Sequence, residues 1–232
     1  MDNGSSPLLE VRNLTIKYKD ADTPVVSNLS FTMAQGEILC LHGPSGKGKS
    51  TVVWALMEML GDYNAAASGE ILLKGRQLVY AWDRPLPKQR TFTWKDMALV
   101  PQSSMSGFNP VYTLRRTMLE TMKACGCEGG RRQQEERLLE IMRRVRLAPE
   151  TLDAYPHELS GGMKQRAAIG LAILFHPDLL ILDEATTGLD LLIQAQVLGT
   201  ILDLREHQNM TILFISHDRA LAESFCDRQI EL

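Results

Sequence analysis

The chain has 232 residues, 44% of them hydrophobic, so it is long enough to bury a proper core as one sizeable domain or two small ones. A formal net charge of -3 excludes a general electrostatic attraction to nucleic acid or to an anionic membrane surface. No run approaches the length of a membrane span, and the N-terminus lacks a basic-then-apolar signal pattern. We expect a soluble protein that is not exported, and its few scattered cysteines are typical of a reducing, cytosolic compartment.

The first part of the chain predicts strands that lead into a glycine-rich turn. Residues 8–18 alternate loosely between apolar and polar side chains, residues 25–33 follow, and residues 37–42 form a short apolar run. Residues 50–60 then repeat apolar side chains at helical spacing. A glycine-rich segment therefore lies between a strand and the start of a helix.

That glycine-rich segment matches the phosphate-binding pattern G-x-x-x-x-G-K-[ST] at every defined position. Its glycines let backbone N–H groups close around phosphates, and the helix dipole favours an anion there. Lys49 is placed to reach the β- and γ-phosphates of a nucleotide, and the Ser50 hydroxyl to bind Mg²⁺. The alternative is a turn whose Lys and Ser are merely solvated. The candidate nucleotide-binding residues of this segment are Gly43, Pro44, Ser45, Gly46, Lys47, Gly48, Lys49, Ser50 and Thr51.

The middle of the chain differs in character from both ends. Prolines punctuate residues 76–158, and residues 131–146 carry basic and acidic side chains at helical period. We expect a mostly helical insertion over about 76–158, within a single domain whose core comprises residues 1–75 and 159–232. The charged stretch is most simply a solvated helical face. Because it lacks aromatic residues, no nucleic-acid partner is expected.

Helices and strands alternate after this region. Helical spacing predicts helices over 161–175 and from about 190 to 207, and apolar runs predict strands over 179–182 and 211–215. Alternation of this kind favours a largely parallel sheet with helices packed against it.

Two acidic residues, Asp183 and Glu184, end the apolar strand over 179–182. Adjacent side chains in a strand point in opposite directions, so the two acids can hold different roles. Asp183 is placed to bind Mg²⁺, directly or through water, and Glu184 to polarise an attacking water. An acid pair at a strand end would otherwise be a helix cap or a solvated turn. The phosphate-binding pattern upstream favours the catalytic interpretation.

Residues 159–166, which read L-S-G-G-M-K-Q-R, resemble the signature sequence of ATP-binding cassette (ABC) proteins, L-S-G-G-x-x-Q-R, at every defined position. Ser160 and the exposed N–H groups of Gly161 and Gly162 would open a helix as a second anion site. A lone Ser-Gly-Gly would more simply be a helix N-cap. In the ABC family the resemblance implies a head-to-tail dimer, in which each signature closes on the γ-phosphate held by the other subunit.

Further residues match family elements in the expected order. Tyr18 is similar to the aromatic residue that stacks on adenine, although a lone Tyr at a strand end is as readily a core or rim residue. Gln102 resembles the glutamine that senses Mg²⁺ and water and communicates with the membrane partner. Asp190 matches the loop that crosses the dimer interface and contributes to the nucleotide site. His217 resembles the histidine that contacts the γ-phosphate, whereas a lone His would usually be a satisfied surface residue.

The resemblance covers essentially the whole chain and implies an α/β fold of the P-loop ATPase type. The expected fold has a mixed or parallel sheet core, an inserted mostly helical subdomain and an N-terminal antiparallel β part. The resemblance implies hydrolysis of ATP with Mg²⁺ as cofactor. Glu184, His217 and Gln102 would then be catalytic, and Ser50, Gln102 and Asp183 would bind the metal.

Two segments resemble the oligopeptide, dipeptide and nickel importer branch of the family. They are residues 102–110, Q-S-S-M-S-G-F-N-P, and residues 155–158, Y-P-H-E, which run directly into the signature. The resemblance implies the motor subunit of a bacterial or archaeal importer of peptides, nickel or a metal chelate. The alternatives are an ABC efflux subunit and a non-transport ABC ATPase that acts on DNA or ribosomes. The latter typically carries a long coiled coil or a second cassette, and this sequence has neither.

The same branch implies the partners. They are a second ABC ATPase subunit, identical or related, two membrane-spanning permease subunits and, indirectly, an extracytoplasmic solute-binding protein. The chain is then expected as a peripheral protein at the cytoplasmic face of the inner membrane.

Overall fold

The computed structural model describes residues 6–82, 91–126 and 129–232, apart from the side chain of Met105. The strands are β1 (Leu9–Tyr18), β2 (Val26–Met33), β3 (Ile38–His42), β4 (Ala65–Leu73), β5 (Arg76–Tyr80), β6 (Met97–Val100), β7 (Leu179–Asp183), β8 (Thr211–Ser216) and β9 (Arg228–Glu231). The α-helices are α1 (Lys49–Leu56), α2 (Leu114–Ala124), α3 (Arg131–Arg144), α4 (Gly161–Ala172), α5 (Leu191–Gln208) and α6 (Arg219–Phe225).

The strands form an antiparallel sheet and a parallel sheet. The antiparallel sheet has the order β2-β1-β4-β5, and the parallel sheet has the order β6-β7-β8-β3-β9. Every residue of β3, β7 and β8 is buried, which explains why these segments read as continuous apolar runs rather than as alternating ones. The predicted α/β fold with an N-terminal antiparallel part is confirmed.

The core divides into two clusters because successive side chains of the parallel strands face opposite sides of the sheet. In β3, Ile38 and Cys40 belong to the cluster formed with α4, α5 and α6, whereas Leu39 and Leu41 belong to the cluster formed with α1 and the antiparallel sheet. The parallel sheet is thus covered on both faces. Its strands end at one edge, where the loops after β3, β6, β7 and β8 come together, the position at which open parallel sheets bind ligands.

The region expected to be mostly helical opens with two strands instead. β5 pairs with β4 in the antiparallel sheet, and β6 pairs with β7 in the parallel sheet, so residues 76–80 and 97–100 extend the two sheets. In the described part of this region the first α-helix begins at Leu114, after a short 3₁₀ helix at Ser104–Ser106. These strands are short, and their extended conformation depends on pairing with β4 and β7 more than on their own sequence pattern. Residues 83–90 and 127–128 of the expected insertion lie outside the described residues, and the division into core and insertion stays a prediction.

The first helix is shorter than its sequence pattern predicts. It ends at Leu56, Glu58 follows in a left-handed conformation with φ of 55°, and a separate 3₁₀ helix spans Leu60–Tyr63. The Glu58 carboxylate accepts hydrogen bonds from the backbone N–H groups of Thr91 and Phe92, so a tertiary contact replaces the last helical turn. Within the residues described above, no helix is both long and apolar enough to cross a bilayer.

Candidate nucleotide site

The phosphate loop, residues 43–51, joins the end of β3 to the start of α1. Gly48 precedes the helix in a left-handed conformation, with φ of 93° and ψ of 12°, and no side chain in the described residues caps the helix. A Cβ atom on Gly48 would lie 2.7 Å from Cγ2 of Val26, so a larger residue does not fit between the loop and β2. The first N–H groups of α1 are left to an external acceptor, which is the arrangement that binds phosphates.

Lys49 lies inside this loop. Its side chain is buried, and Nζ donates hydrogen bonds to the carbonyl oxygens of Gly43 at 2.8 Å and Pro44 at 3.0 Å. The ammonium group is therefore held where the loop would enclose phosphates. A phosphate oxygen in its reach would form a charge-assisted bond that is stronger than a bond to a neutral carbonyl.

Asp183 ends β7 and faces the same loop. Its carboxylate is buried and lies near the Ser50 hydroxyl. Burial raises the pKa of Asp183 above its ordinary value, and the nearby Glu184 adds to this shift, whereas the Ser50 hydrogen bond and the Lys49 charge oppose it. A cation beside this carboxylate would offset the unfavourable burial of its charge.

The donor set fits Mg²⁺. Ser50 and Asp183 offer adjacent hard oxygen atoms, and Mg²⁺ is usually bound by one or two protein oxygens together with phosphate and water. In the described ranges, no group of three or more His, Cys, Asp or Glu could hold a metal ion. Such a site would suit an ion that arrives with a nucleotide better than an ion held by protein ligands alone.

Glu184 is the residue on which the other polar groups converge. The Gln102 amide nitrogen donates to its Oε2 at 2.8 Å, and His217 Nδ1 lies 3.3 Å from its Oε1. The Thr187 hydroxyl also donates to Oε2, at 3.4 Å. The Glu184 side chain is 14% exposed and that of His217 is 52% exposed, so the carboxylate lies at the base of the site and the imidazole at its rim. This carboxylate is placed to accept a proton from water.

The backbone of Glu184 is fixed as firmly as its side chain. It adopts a left-handed conformation with φ of 50°, which is unfavourable for a residue with a Cβ atom. Its N–H donates to the Ile215 carbonyl at 3.0 Å, and its own carbonyl accepts from the Thr187 N–H at 3.0 Å. The sharp turn after β7 thereby presents the two adjacent acids to the same edge of the sheet.

Tyr18 reaches the loop from the end of β1. Its hydroxyl lies 3.1 Å from Oγ1 of Thr51 in the first turn of α1, and its side chain is half-buried. The structure thus places the predicted aromatic residue beside the phosphate loop, while its stacking on adenine stays a prediction.

Ser160 and Asp190 lie apart from the Glu184 group and cap helices. The Ser160 hydroxyl accepts from the Met163 N–H at 3.3 Å, which begins α4, and the Asp190 carboxylate accepts from the Ile193 N–H at 2.9 Å, which begins α5. Ser160 and Gly161 are exposed, whereas Gly162 is buried. The simple helix-cap interpretation therefore holds within one subunit, and roles for these residues at a nucleotide stay a prediction.

A model of the ABC transporter family matches residues 26–187, which contain the phosphate loop, the signature, Asp183 and Glu184. The chain belongs to the ABC transporter family. The resemblance seen in the sequence is confirmed, and the chain is an ATP-binding cassette with ATPase function.

This ABC cassette is similar along nearly its whole length to transporter subunits. It is 37% identical over 228 residues to a probable peptide ABC transporter ATP-binding protein, y4tR, of Sinorhizobium fredii, with 96% of this chain and 67% of that protein covered. It is 36% identical over 228 residues to the dipeptide transport ATP-binding protein DppD of Haemophilus influenzae, with 96% and 68% covered. The cassette spans about two thirds of the length of these relatives.

A solved structure agrees with the fold of this ABC cassette. The dimeric structure of a bacterial ABC transporter cassette superimposes with a TM-score of 0.77 at 23% identity, covering 97% of this chain and 94% of the other. At this identity the likeness supports the fold alone.

Three residues next to the site escaped the sequence analysis of the cassette. Ser104 donates from its buried hydroxyl to Oε1 of Gln165 at 2.8 Å, behind the Gln102–Glu184 pair. Ile193 packs so closely on Gly162 that a Cβ atom there would lie 2.4 Å from its Cγ2. Gln165 belongs to the signature pattern, but nothing in the sequence indicates its partner. Both contacts join segments that are far apart in the chain.

Proposed function

We propose that this cassette is the ATP-hydrolysing motor subunit of a peptide importer, bound to the cytoplasmic face of the inner membrane. The observation that carries the proposal is the position of the Glu184 carboxylate. It contacts both Gln102 and His217 and directly follows Asp183, whose carboxylate lies near Ser50. Four segments of the chain thereby bring one proton acceptor to the edge of a phosphate loop.

The site residues have separate roles in this proposal. The backbone of the phosphate loop and Lys49 bind the β- and γ-phosphates, and Ser50 and Asp183, with Gln102 as a further ligand, hold Mg²⁺. When bound, Mg²⁺ neutralises charge on the transferring phosphoryl group. Glu184 orients water and accepts its proton, and His217 contacts the γ-phosphate.

A second cassette completes the site. Ser160, Gly161 and Gly162 of one subunit contact the γ-phosphate bound by the other, and Asp190 lies at the interface between them. Leu191 and Leu192 support this arrangement because they follow Asp190 and are 85% and 71% exposed. Exposed large apolar side chains at the start of a helix are candidates for burial in an interface.

The membrane partner has a candidate docking surface next to Gln102. An apolar groove there is bordered by Pro101 and lined by residues from the end of α1 and from the segment before β6. The apolar side chains of this groove are Leu56, Met57, Met59, Phe92, Trp94, Met97 and Leu99. We propose that permease subunits contact this groove, so that movement there is transmitted through Gln102 to the catalytic carboxylate.

Peptides are the cargo that we propose. Both relatives described above carry peptide or dipeptide transport in their names, and they are similar over nearly the whole cassette. Nickel lacks such support, and the efflux and DNA- or ribosome-directed alternatives lack it too. A solute-binding protein would deliver the peptide to the permease from outside.

The Glu184→Gln substitution tests the catalytic part of the proposal. It keeps the hydrogen bonding with Gln102 and removes the proton acceptor, so ATP hydrolysis should fall about 10²- to 10⁴-fold. Binding of ATP should be unchanged when measured with a fluorescent analogue. The conservative Glu206→Gln substitution, at an exposed position of α5, is the matched control and should hydrolyse normally. Undiminished turnover in Glu184→Gln would show that another group accepts the proton.

The transport part needs the assembled complex. The cassette should co-purify with two membrane-spanning chains, and peptide together with a solute-binding protein should raise ATP hydrolysis in proteoliposomes. A complex stimulated by substrate from the cassette side alone would favour efflux instead.

A further inference from the structure

A buried hydrogen bond connects the signature helix to the segment that carries Gln102. The hydroxyl of Ser104 donates to Oε1 of Gln165 at 2.8 Å. Ser104 is 7% exposed and Gln165 is 1% exposed, so water does not compete for this bond. A polar contact of this kind is maintained only where both partners are held in place.

On one side, Ser104 is tied to the catalytic carboxylate. Gln102 donates to Glu184 at 2.8 Å, and Ser104 begins a short 3₁₀ helix, Ser104–Ser106, only two residues further along. The Ser104 N–H donates to the Pro101 carbonyl at 2.9 Å, which closes the turn around Gln102. A displacement of Ser104 therefore displaces Gln102.

On the other side, Gln165 belongs to the same helix as the signature turn. Gly161 and Gly162 open α4, and Gln165 lies one turn further along, in a continuous hydrogen-bonded helix. Gly162 is in turn pressed against Ile193 at the start of α5. The position of Gln165 thus fixes the position of the anion-binding end of α4.

The amide nitrogen of Gln165 is unusual for such a buried group. Of the buried side-chain nitrogen and oxygen atoms in the described residues, it is the one without a hydrogen-bond partner. A buried donor without an acceptor is unfavourable, and such groups are rare in native proteins. The observed arrangement of α4 and the Ser104 segment therefore carries an unfavourable term, which a shift of α4 that brings an acceptor to this N–H would remove.

We propose that Ser104 and Gln165 form a latch that couples the signature end of α4 to the Gln102–Glu184 pair, which makes Gln165 a positioning residue for ATP hydrolysis. The proposal rests on the motor function argued above. When the signature of one subunit engages the nucleotide of the other, the displacement of α4 passes through Gln165 and Ser104 to the catalytic carboxylate of its own subunit. Closure of one nucleotide site thereby changes the position of the catalytic carboxylate in the other site.

The test is a kinetic comparison of the full chain and its variants. Gln165→Met keeps the length of the side chain and removes both hydrogen-bonding groups. Because the latch acts after ATP is bound, kcat should fall about tenfold while the KM for ATP stays within about twofold. Ser104→Ala should give the same result, and the double variant should be no worse than either single one, because both remove the same bond. Ser104→Thr retains a hydroxyl and should recover most of the turnover.

A matched control distinguishes the proposed coupling from a purely structural role of Gln165. Ile169→Val removes one buried methylene from the same helix, away from Ser104, and should lower the melting temperature without changing kcat at temperatures well below it. Normal kcat in Gln165→Met, or additive losses in the double variant, would overturn the latch and leave the motor function standing. A wild-type chain that neither binds nor hydrolyses ATP would overturn both.

Discussion

The phosphate loop and the signature turn are both glycine-containing entrances to a helix, but they are built differently. The phosphate loop is surrounded by its own chain: Lys49 is buried within it, and Asp183 lies against it. The signature turn is exposed at Ser160 and Gly161, and the Ser160 hydroxyl caps α4. The phosphate loop is therefore enclosed by residues of its own chain, whereas the signature turn forms part of the surface.

The glycines of the two turns are also required for different reasons. Gly48 has a positive φ that a residue with a Cβ atom adopts only with strain, and Val26 is close as well. Gly162 has ordinary helical geometry and is required only because Ile193 occupies the space of a side chain. Gly48 is thus required by its backbone conformation, whereas Gly162 is required by the neighbouring Ile193 side chain. Substitutions at the two glycines and at their neighbours test this difference.

The largest effect is expected for Gly48→Ala. It should abolish measurable ATP binding and lower the free energy of unfolding by at least about 1–2 kcal/mol, since the left-handed backbone and the contact with Val26 both oppose it. Nucleotide titration and urea unfolding measure the two losses. Adding Val26→Ala should not restore binding, because the backbone strain remains. Gly61→Ala, at a glycine with open space around it, is the control and should bind normally.

Gly162→Ala should give a smaller effect that a second substitution reverses. The added methyl group overpacks the contact with Ile193, so the free energy of unfolding should fall by about 1–3 kcal/mol. ATP binding at the phosphate loop should persist while hydrolysis falls, since the signature end of α4 is displaced. Ile193→Ala removes the opposing Cγ2 and should restore much of the stability, as read from urea unfolding. Failure of that rescue would mean that Gly162 is required for its backbone and not for its neighbour.

Asp183→Asn should have the smallest effect on stability, and that effect should be an increase. Because burial raises the folded-state pKa of Asp183 above its unfolded value, ionising this group opposes folding, and the amide should raise the melting temperature of the nucleotide-free chain at pH 7. The increase in melting temperature should be largest above the raised pKa of Asp183. It should disappear as the pH falls below about 3.9, the ordinary pKa of Asp. Melting curves across this range measure it.

Asp190, an exposed acid that caps α5, provides the control for the buried Asp183. Asp190→Asn, at an exposed helix cap, should leave the melting temperature nearly unchanged, since Asn and Asp cap helices equally well. An equal rise in melting temperature for both variants would contradict the contrast between an enclosed and an exposed site. Magnesium-dependent hydrolysis should be lost in Asp183→Asn despite its greater stability.

The sequence predicted those parts of the site that depend on short runs of neighbouring residues. The phosphate loop lies between a strand and a helix as expected, and Gln102, Glu184 and His217 come together because each follows a strand of the parallel sheet. What the sequence could not predict depends on contacts between distant segments. β5 and β6 are too short to show a period of their own, and β9 presents mostly exposed polar side chains.

The contacts behind the site escaped prediction for a related reason. Nothing in the pattern of the signature indicates that Gln165 meets Ser104 or that Gly162 meets Ile193. The left-handed turn at Glu184 was equally hidden, because Glu is not a residue that favours this conformation. These features follow from packing and can be read only from the assembled fold.

The place of β3 in the parallel sheet has a consequence for biosynthesis. β3 leads into the phosphate loop, yet both of its neighbours, β8 and β9, are translated much later than β3, and the Leu232 N–H donates to the carbonyl of His42 at 2.9 Å. Contacts this distant in sequence form slowly and late. The strand that carries the nucleotide site thus leaves the ribosome long before the two strands with which it pairs. A nascent cassette should accordingly acquire its affinity for ATP only after β9 has emerged from the exit tunnel.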